Sequence, residues 1–148
     1  MNTFLPYADF KRSASVLDRQ RLGKQRVEVL QIVRAILDPK QKGWKNHPCT
    51  FMWSRNVGAL VEYGLAICDE WSNRGYSDGV CFDLIPLREN NPKMPPWLGS
   101  PKLHSSHRAN LIRKDPVHYG QFGWTEEPLE QYFWPHPTYY WRAYEVAV

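Results

Sequence analysis

The sequence predicts an all-α domain of about three main helices, joined by long loops and followed by an aromatic C-terminal tail. Three observations predict it. Apolar residues recur at helical spacing from the residues after Ser15 to Leu37 and again within 50–74, Ser100-Pro101 is a helix-start signal, and the connections are rich in Pro and Gly. At 148 residues the chain holds one domain's worth of sequence, so 1–148 is read as a single domain around one core.

In the first helix, Ser13 or Ser15 can serve as cap and Asp38-Pro39 as stop. Leu22, Val29, Leu30, Val33, Ile36 and Leu37 share an arc of roughly 120° on a helical wheel. Opposite them lie Gln20, Lys24, Glu28 and Gln31, with Arg21 at the margin; the i, i+4 spacing stacks Gln20, Lys24 and Glu28 along one face. Residues 39–48, PKQKGWKNHP, read as a basic turn-rich loop. Phe51, Leu60, Tyr63, Ile67 and Trp71 mark the second helix, which Arg74-Gly75 ends. Residues 76–99 carry Gly79, Pro86, Pro92, Pro95, Pro96 and Gly99, so they read as loop with at most a short helix near 80–87. The third helix, about 100–114, ends at Lys114-Asp115-Pro116. The tail from 117, including WPHPTYYWRAY at 134–144, suits extended or turn structure.

Charge is uneven. The net charge is +4, yet residues 1–60 hold eleven Lys and Arg against four Asp and Glu, a balance of +7 that leaves −3 for the remainder. Such a basic half suits an anionic partner, or simply a solvated helix face. Seven Trp and eight Tyr can fill a core or stack on bases. Cys49, Cys68 and Cys81 include no close pair, which argues against a disulfide framework and for a reducing compartment. The N-terminus lacks the apolar run of a secretory signal, and no window approaches the ~18 apolar residues of a membrane span, so a cytoplasmic protein without membrane contact is expected.

The row Gln20, Lys24 and Glu28, flanked by Arg19, Arg21 and Arg26, can carry chemistry. Cleaving an N-glycosidic bond builds oxocarbenium character on the sugar, and a fixed carboxylate stabilises it while arginines bind flanking phosphates. The plain alternative is an exposed Lys24–Glu28 pair worth a few tenths of a kcal/mol. Lys45, Asn46 and His47 could contact DNA, or form a locally satisfied turn before Pro48. His104, His107 and Arg108 share a helix face; two His at this spacing suggest zinc, but no third ligand follows, and no metal or other cofactor is expected. His107 and Arg108 remain phosphate or active-site contacts, with Lys114 a further DNA contact. Trp134, Tyr139, Tyr140 and Trp141 either pack against the helices or stack on bases.

The run LDRQRLGKQRVEVL, residues 17–30, resembles the signature helix of pyrimidine-dimer DNA glycosylases of the phage endonuclease V type. That pattern of a Gln, a Leu two positions on and a catalytic Glu six further falls on Gln20, Leu22 and Glu28. The family's bacterial branch opens this helix with the same Leu17 to Leu22 pattern. It also shares Gly43-Trp44-Lys45-Asn46-His47-Pro48 and a late helix with a basic-Asp-Pro-x-x-Tyr turn, here HSSHRANLIRKDPVHY at 104–119. The resemblance implies an all-α domain acting as a monomer on damaged or modified pyrimidines in double-stranded DNA. It implies attack on the sugar C1′ by the N-terminal α-amine, assistance by Glu28, and a lyase step through a Schiff base. An α-amine suits this because its ordinary pKa near ~8 leaves a neutral fraction.

The sequence departs from the pattern at Asn2, whose bulk disfavours removal of Met1, so the implied nucleophile is the Met1 amine. Lys24 is a substitute Schiff-base residue; hydrolysis by water without lyase activity is the other route. Val27 stands where the family often has Arg, and Arg26 is expected to take over its phosphate contact. The segment before the helix is longer than in the phage enzyme, so the terminus has to fold back to reach Glu28. Two further readings stay open: a non-catalytic DNA-binding module, and an N-glycosidase for a modified base or free nucleotide.

Overall fold

The computed structural model describes residues 1–77 and 79–135; the expectations for Tyr139, Tyr140 and Trp141 fall outside them. The described residues are helical with no strand, in agreement with the all-α expectation. The stretch read as one helix from Ser13 or Ser15 is in fact two, α1 (Phe10–Val16) and α2 (Arg19–Leu37). The caps are aspartates. Asp9 accepts from Arg12 N at 2.7 Å, and Asp18 accepts from Arg21 N at 3.3 Å. Leu17 and Asp18 adopt extended backbone, and a carboxylate there satisfies the first free N–H groups of α2 as a helical residue could not. Ser13 and Ser15 lie inside α1, with their hydroxyls donating to Tyr7 O and Arg12 O.

The second expected helix also divides, into α3 (Pro48–Trp53) and α4 (Val57–Asn73). His47 caps α3, its Nδ1 accepting from Cys49 N at 3.0 Å, and Pro48 occupies the first turn, where its missing N–H costs nothing. Gly75 at φ 91 closes α4 in the left-handed region. The short helix near 80–87 is α5 (Val80–Leu84) with a 3-10 turn at Ile85–Leu87. The third main helix is α6 (Pro101–Lys114). Its stop signal is also a start: Asp115 accepts from His118 N at 3.1 Å and opens α7 (Pro116–Tyr119), which a 3-10 turn at Gly120–Phe122 follows.

The core forms where α2 packs on α4, with α1, α3 and α5 around the pair. Leu22, Val29, Ile32 and Val33 of α2 meet Leu60, Tyr63 and Ile67 of α4, all essentially without solvent contact. Gly64 permits the close approach; a Cβ there would stand 2.7 Å from Val29 Cγ1 and 2.8 Å from Leu84 Cδ1. Cys68 of α4 is disulfide-bonded to Cys81 of α5, a single bridge where the spacing argued against a disulfide framework, because the fold brings together two residues 13 apart in sequence. Cys49 is free and buried, and burial pushes its thiol up to about 12. Among the described residues no helix is long and apolar enough to cross a membrane.

Candidate active site

An extended N-terminal arm, residues 1–6, lies across α2 and decides what its polar face can do. Spacing alone sets Glu28 opposite the core, yet Glu28 is only 8% exposed because the arm covers it. Gln25 reads the arm's backbone. Its Nε2 donates to Asn2 O at 2.7 Å and to Glu28 Oε2 at 3.2 Å, while its Oε1 accepts from Phe4 N at 2.9 Å. The Tyr63 hydroxyl is 2.7 Å from both Phe4 O and Gln25 Oε1, and its one proton serves either. Asn2 N donates to Glu28 Oε2 at 3.2 Å, so the terminus does fold back to the glutamate. Trp53 Nε1 donates to Thr3 Oγ1 at 3.0 Å, fixing the arm from α3.

The two histidines of α6 hold the next residue of the arm. His107 Nδ1 accepts from Leu5 N at 2.8 Å. His104 accepts from Gly99 N through Nε2 at 3.0 Å, so its Nδ1 carries the proton and donates to Leu5 O at 2.7 Å. Both rings are kept neutral, His107 with a pKa lowered to about 3, because burial penalises the charged form. His107 is fully enclosed, which corrects its expected place as a phosphate contact. Arg108 likewise turns inward, donating to the Glu126 carboxylate at 3.0 Å and to Pro6 O at 2.8 Å.

A second junction joins the start of α2 to α7. The Tyr119 hydroxyl donates to Asp18 and accepts from Asp18 N, and Arg21 pairs with the same carboxylate at 3.2 Å. Burial alone would raise the pKa of Asp18, but the hydrogen bonds from Tyr119 and Arg21, with the Arg21 charge, outweigh it and hold Asp18 low. His118 of the same turn is 2.8 Å from Val16 O. Thus the Leu17–Leu22 motif and the basic-Asp-Pro-x-x-Tyr turn, a hundred residues apart, are one structural unit.

Between arm, α2 and the end of α6 lies a cavity of ≈ 250 Å³ lined by Met1, Asn2, Phe4, Gln20, Arg21, Lys24, Gln25, Glu28, Lys114 and Tyr132. It gathers six of the residues singled out from sequence: Met1, Gln20, Arg21, Lys24, Glu28 and Lys114. Lys24 Nζ lies 3.6 Å from Glu28 Oε1 but is 74% exposed, so the pair is half in solvent. The Lys114 ammonium is destabilised, first by desolvation and then by the charges of Arg113, Arg21 and Lys24. His47 stands near the cavity: burial lowers its pKa, the terminal ammonium lowers it further, and Glu28 opposes both. Lys45 is half-buried and Asn46 exposed in the turn before it. Arg19 and Arg26 are not among the residues that line the cavity; their guanidinium groups lie over the rings of Tyr76 at 5.1 Å and Trp71 at 4.3 Å.

Sequence reasoning missed Gln25, Asn2, Tyr63 and Tyr132. Gln25, one turn before Glu28 at the edge of the polar face, carried a usable signal; the others depend on contacts between distant segments. A larger cavity of ≈ 500 Å³ shares Tyr132 but holds none of Met1, Lys24 and Glu28, and its Glu126 carboxylate is engaged by Arg108 at 3.0 Å and by Ser105 Oγ at 3.3 Å.

A sequence model described as pyrimidine dimer DNA glycosylase matches residues 1–82, which span the arm, α2, the turn at 43–48, α3 and α4. No curated protein and no solved structure matches the chain. Since the match covers more than half of the sequence and contains Glu28 with the arm that buries it, the chain belongs to the pyrimidine dimer DNA glycosylase family.

Proposed function

We propose that the chain is a DNA N-glycosylase that removes damaged or modified pyrimidines from double-stranded DNA, acting as a monomer, with Glu28 as its catalytic carboxylate. The observation that carries this reading is the state of Glu28. It is nearly buried, its Oε2 is fixed by Asn2 N and Gln25 Nε2, and it lines a cavity with the chain's first residue and three cationic side chains. A carboxylate fixed in this way stabilises positive charge that develops at C1′ without having to reorganise.

In the reaction the target nucleotide leaves the helix to reach the cavity. The unprotonated Met1 amine attacks C1′, and the glycosidic bond breaks with its electron pair leaving on the base, which takes up a proton. Loss of the ring oxygen from C1′ then gives the Schiff base from which the strand is cleaved. Gln20, Arg21 and Lys114 at the cavity, and Lys45, Asn46 and His47 in the adjoining turn, are assigned to the DNA backbone and the extruded nucleotide.

The test is Glu28→Gln, assayed on dimer-containing, abasic and modified-base duplexes with base release scored apart from strand breaks. Base release is expected to fall at least ~100-fold with DNA affinity retained. Unchanged turnover would remove Glu28 from the chemistry, binding without base release by the wild type would leave only a DNA-binding module, and release from free nucleotides with no dependence on DNA length would move the substrate away from DNA. Borohydride trapping on abasic DNA then locates the amine. An adduct at Met1 supports the stated route, one at Lys24 or Lys114 replaces the nucleophile, and active enzyme without adduct means hydrolysis. The intact mass belongs to the same experiment, because the Asn2 nitrogen is the one 3.2 Å from Glu28, and a chain processed to Asn2 would place its new amine there.

A further inference from the structure

Trp44 has no role in the chemistry above, yet the fold holds it in a costly arrangement. Its indole is 43% exposed, and its backbone sits at φ 66, the left-handed region that a side chain of this size rarely adopts. The turn is nevertheless locked, since Trp44 O accepts from Thr50 Oγ1 at 2.7 Å and from His47 N at 3.2 Å. The indole is therefore presented on a fixed backbone instead of being folded into the core. Lys40, Lys42 and Lys45 belong to the same loop.

Ring contacts run inward from it. Trp44 meets His47 edge-on at 5.6 Å between centroids, His47 meets Trp134 edge-on at 5.7 Å, and Trp134 meets Tyr132 at 5.5 Å. Tyr132 lines the cavity that contains Glu28. The exposed indole is thus the outer end of an aromatic ladder whose inner end is the cavity wall.

We propose that Trp44 is a nucleobase-stacking residue: it lies against the base next to the extruded nucleotide, which extrusion leaves unstacked. An indole stacks on any base, and the lysines beside it match the phosphates on either side of such a step. This inference rests on the glycosylase reading, because only an enzyme that extrudes its target exposes that neighbouring base.

The experiment uses a duplex with a stable abasic-site analogue and the fluorescent base aminopurine beside it, titrated with wild-type protein, Trp44→Phe and Trp44→Ala. Wild type is expected to quench the fluorophore on binding and Trp44→Phe to keep most of the quench. Trp44→Ala is expected to lose the quench and to bind roughly 5- to 150-fold more weakly, with a smaller loss on undamaged duplex. Equal melting curves for the three proteins show that the exposed side chain is not needed for folding. Wild-type quench and affinity in Trp44→Ala overturn the proposal, and so does weaker binding with the quench intact, which would make Trp44 a contact elsewhere. Failure of the glycosylase reading is seen separately, in wild-type protein that releases no base, and it removes this proposal as well.

Discussion

Replacing Gln25 by Ala tests whether the N-terminal arm is what builds the site. Gln25 is 1% exposed and serves two buried backbone groups, Asn2 O and Phe4 N, besides Glu28 Oε2 and the Tyr63 hydroxyl. Each backbone group stranded without a partner costs about 1–3 kcal/mol, so the pair costs about 2–6 kcal/mol unless water fills the space left by the amide. That is a large part of the roughly 5–15 kcal/mol that holds an ordinary domain together. At about 2–4 °C per kcal/mol for a chain of this size, thermal denaturation followed by circular dichroism should fall by about 5–20 °C. The arm can also detach alone, in which case the melting shift is smaller and the Phe4 amide loses its protection from hydrogen exchange. Both routes remove the bond that fixes Glu28 Oε2, so base release drops in either case. A variant that melts within about 1 °C of wild type, protects Phe4 and keeps full turnover would refute the reasoning.

The remaining predictions concern the parts around the arm. Tyr63→Phe removes one hydroxyl shared by Phe4 O and Gln25 and should cost about 1–2 kcal/mol in urea denaturation, less than Gln25→Ala. His107 binds no proton in the folded state until about pH 3, whereas the unfolded chain takes one up near 6.5. Its contribution is therefore full above 6.5 and is lost on acidification at about 1.4 kcal/mol per pH unit. His107→Gln keeps an acceptor for Leu5 N without titrating, so its stability profile between pH 6.5 and the carboxylate range should be flatter; a slope equal to wild type would count against the clamp. Gly64→Ala forces a methyl against Val29 and Leu84 and should destabilise by about 1–3 kcal/mol, read as a lower urea midpoint.

Local signals reported the fold well. The core stripe of α2, the stop at Gly75 and the start at Pro101 follow from period, glycine freedom and proline geometry, all properties of a few neighbouring residues. The break between α1 and α2 did not follow from the stripe, because the apolar pattern constrains a face and leaves the cap to Asp18, whose carboxylate also answers to Tyr119 from a hundred residues away. For the site, spacing alone put Gln20, Lys24 and Glu28 in one row, and the residues themselves allowed either a solvated ion pair or a catalytic group.

Only the tertiary structure decided how the two charges of that row meet solvent. Lys24 stays in solvent while Glu28 is enclosed, because burial depends on which segment crosses a helix face, and that is the arm held by Gln25, Tyr63, His104 and His107. The sequence by itself determined the helices and the polar row. The distant contacts that dock six N-terminal residues turned one carboxylate of that row into a fixed, desolvated group, and a periodic pattern carries no record of them.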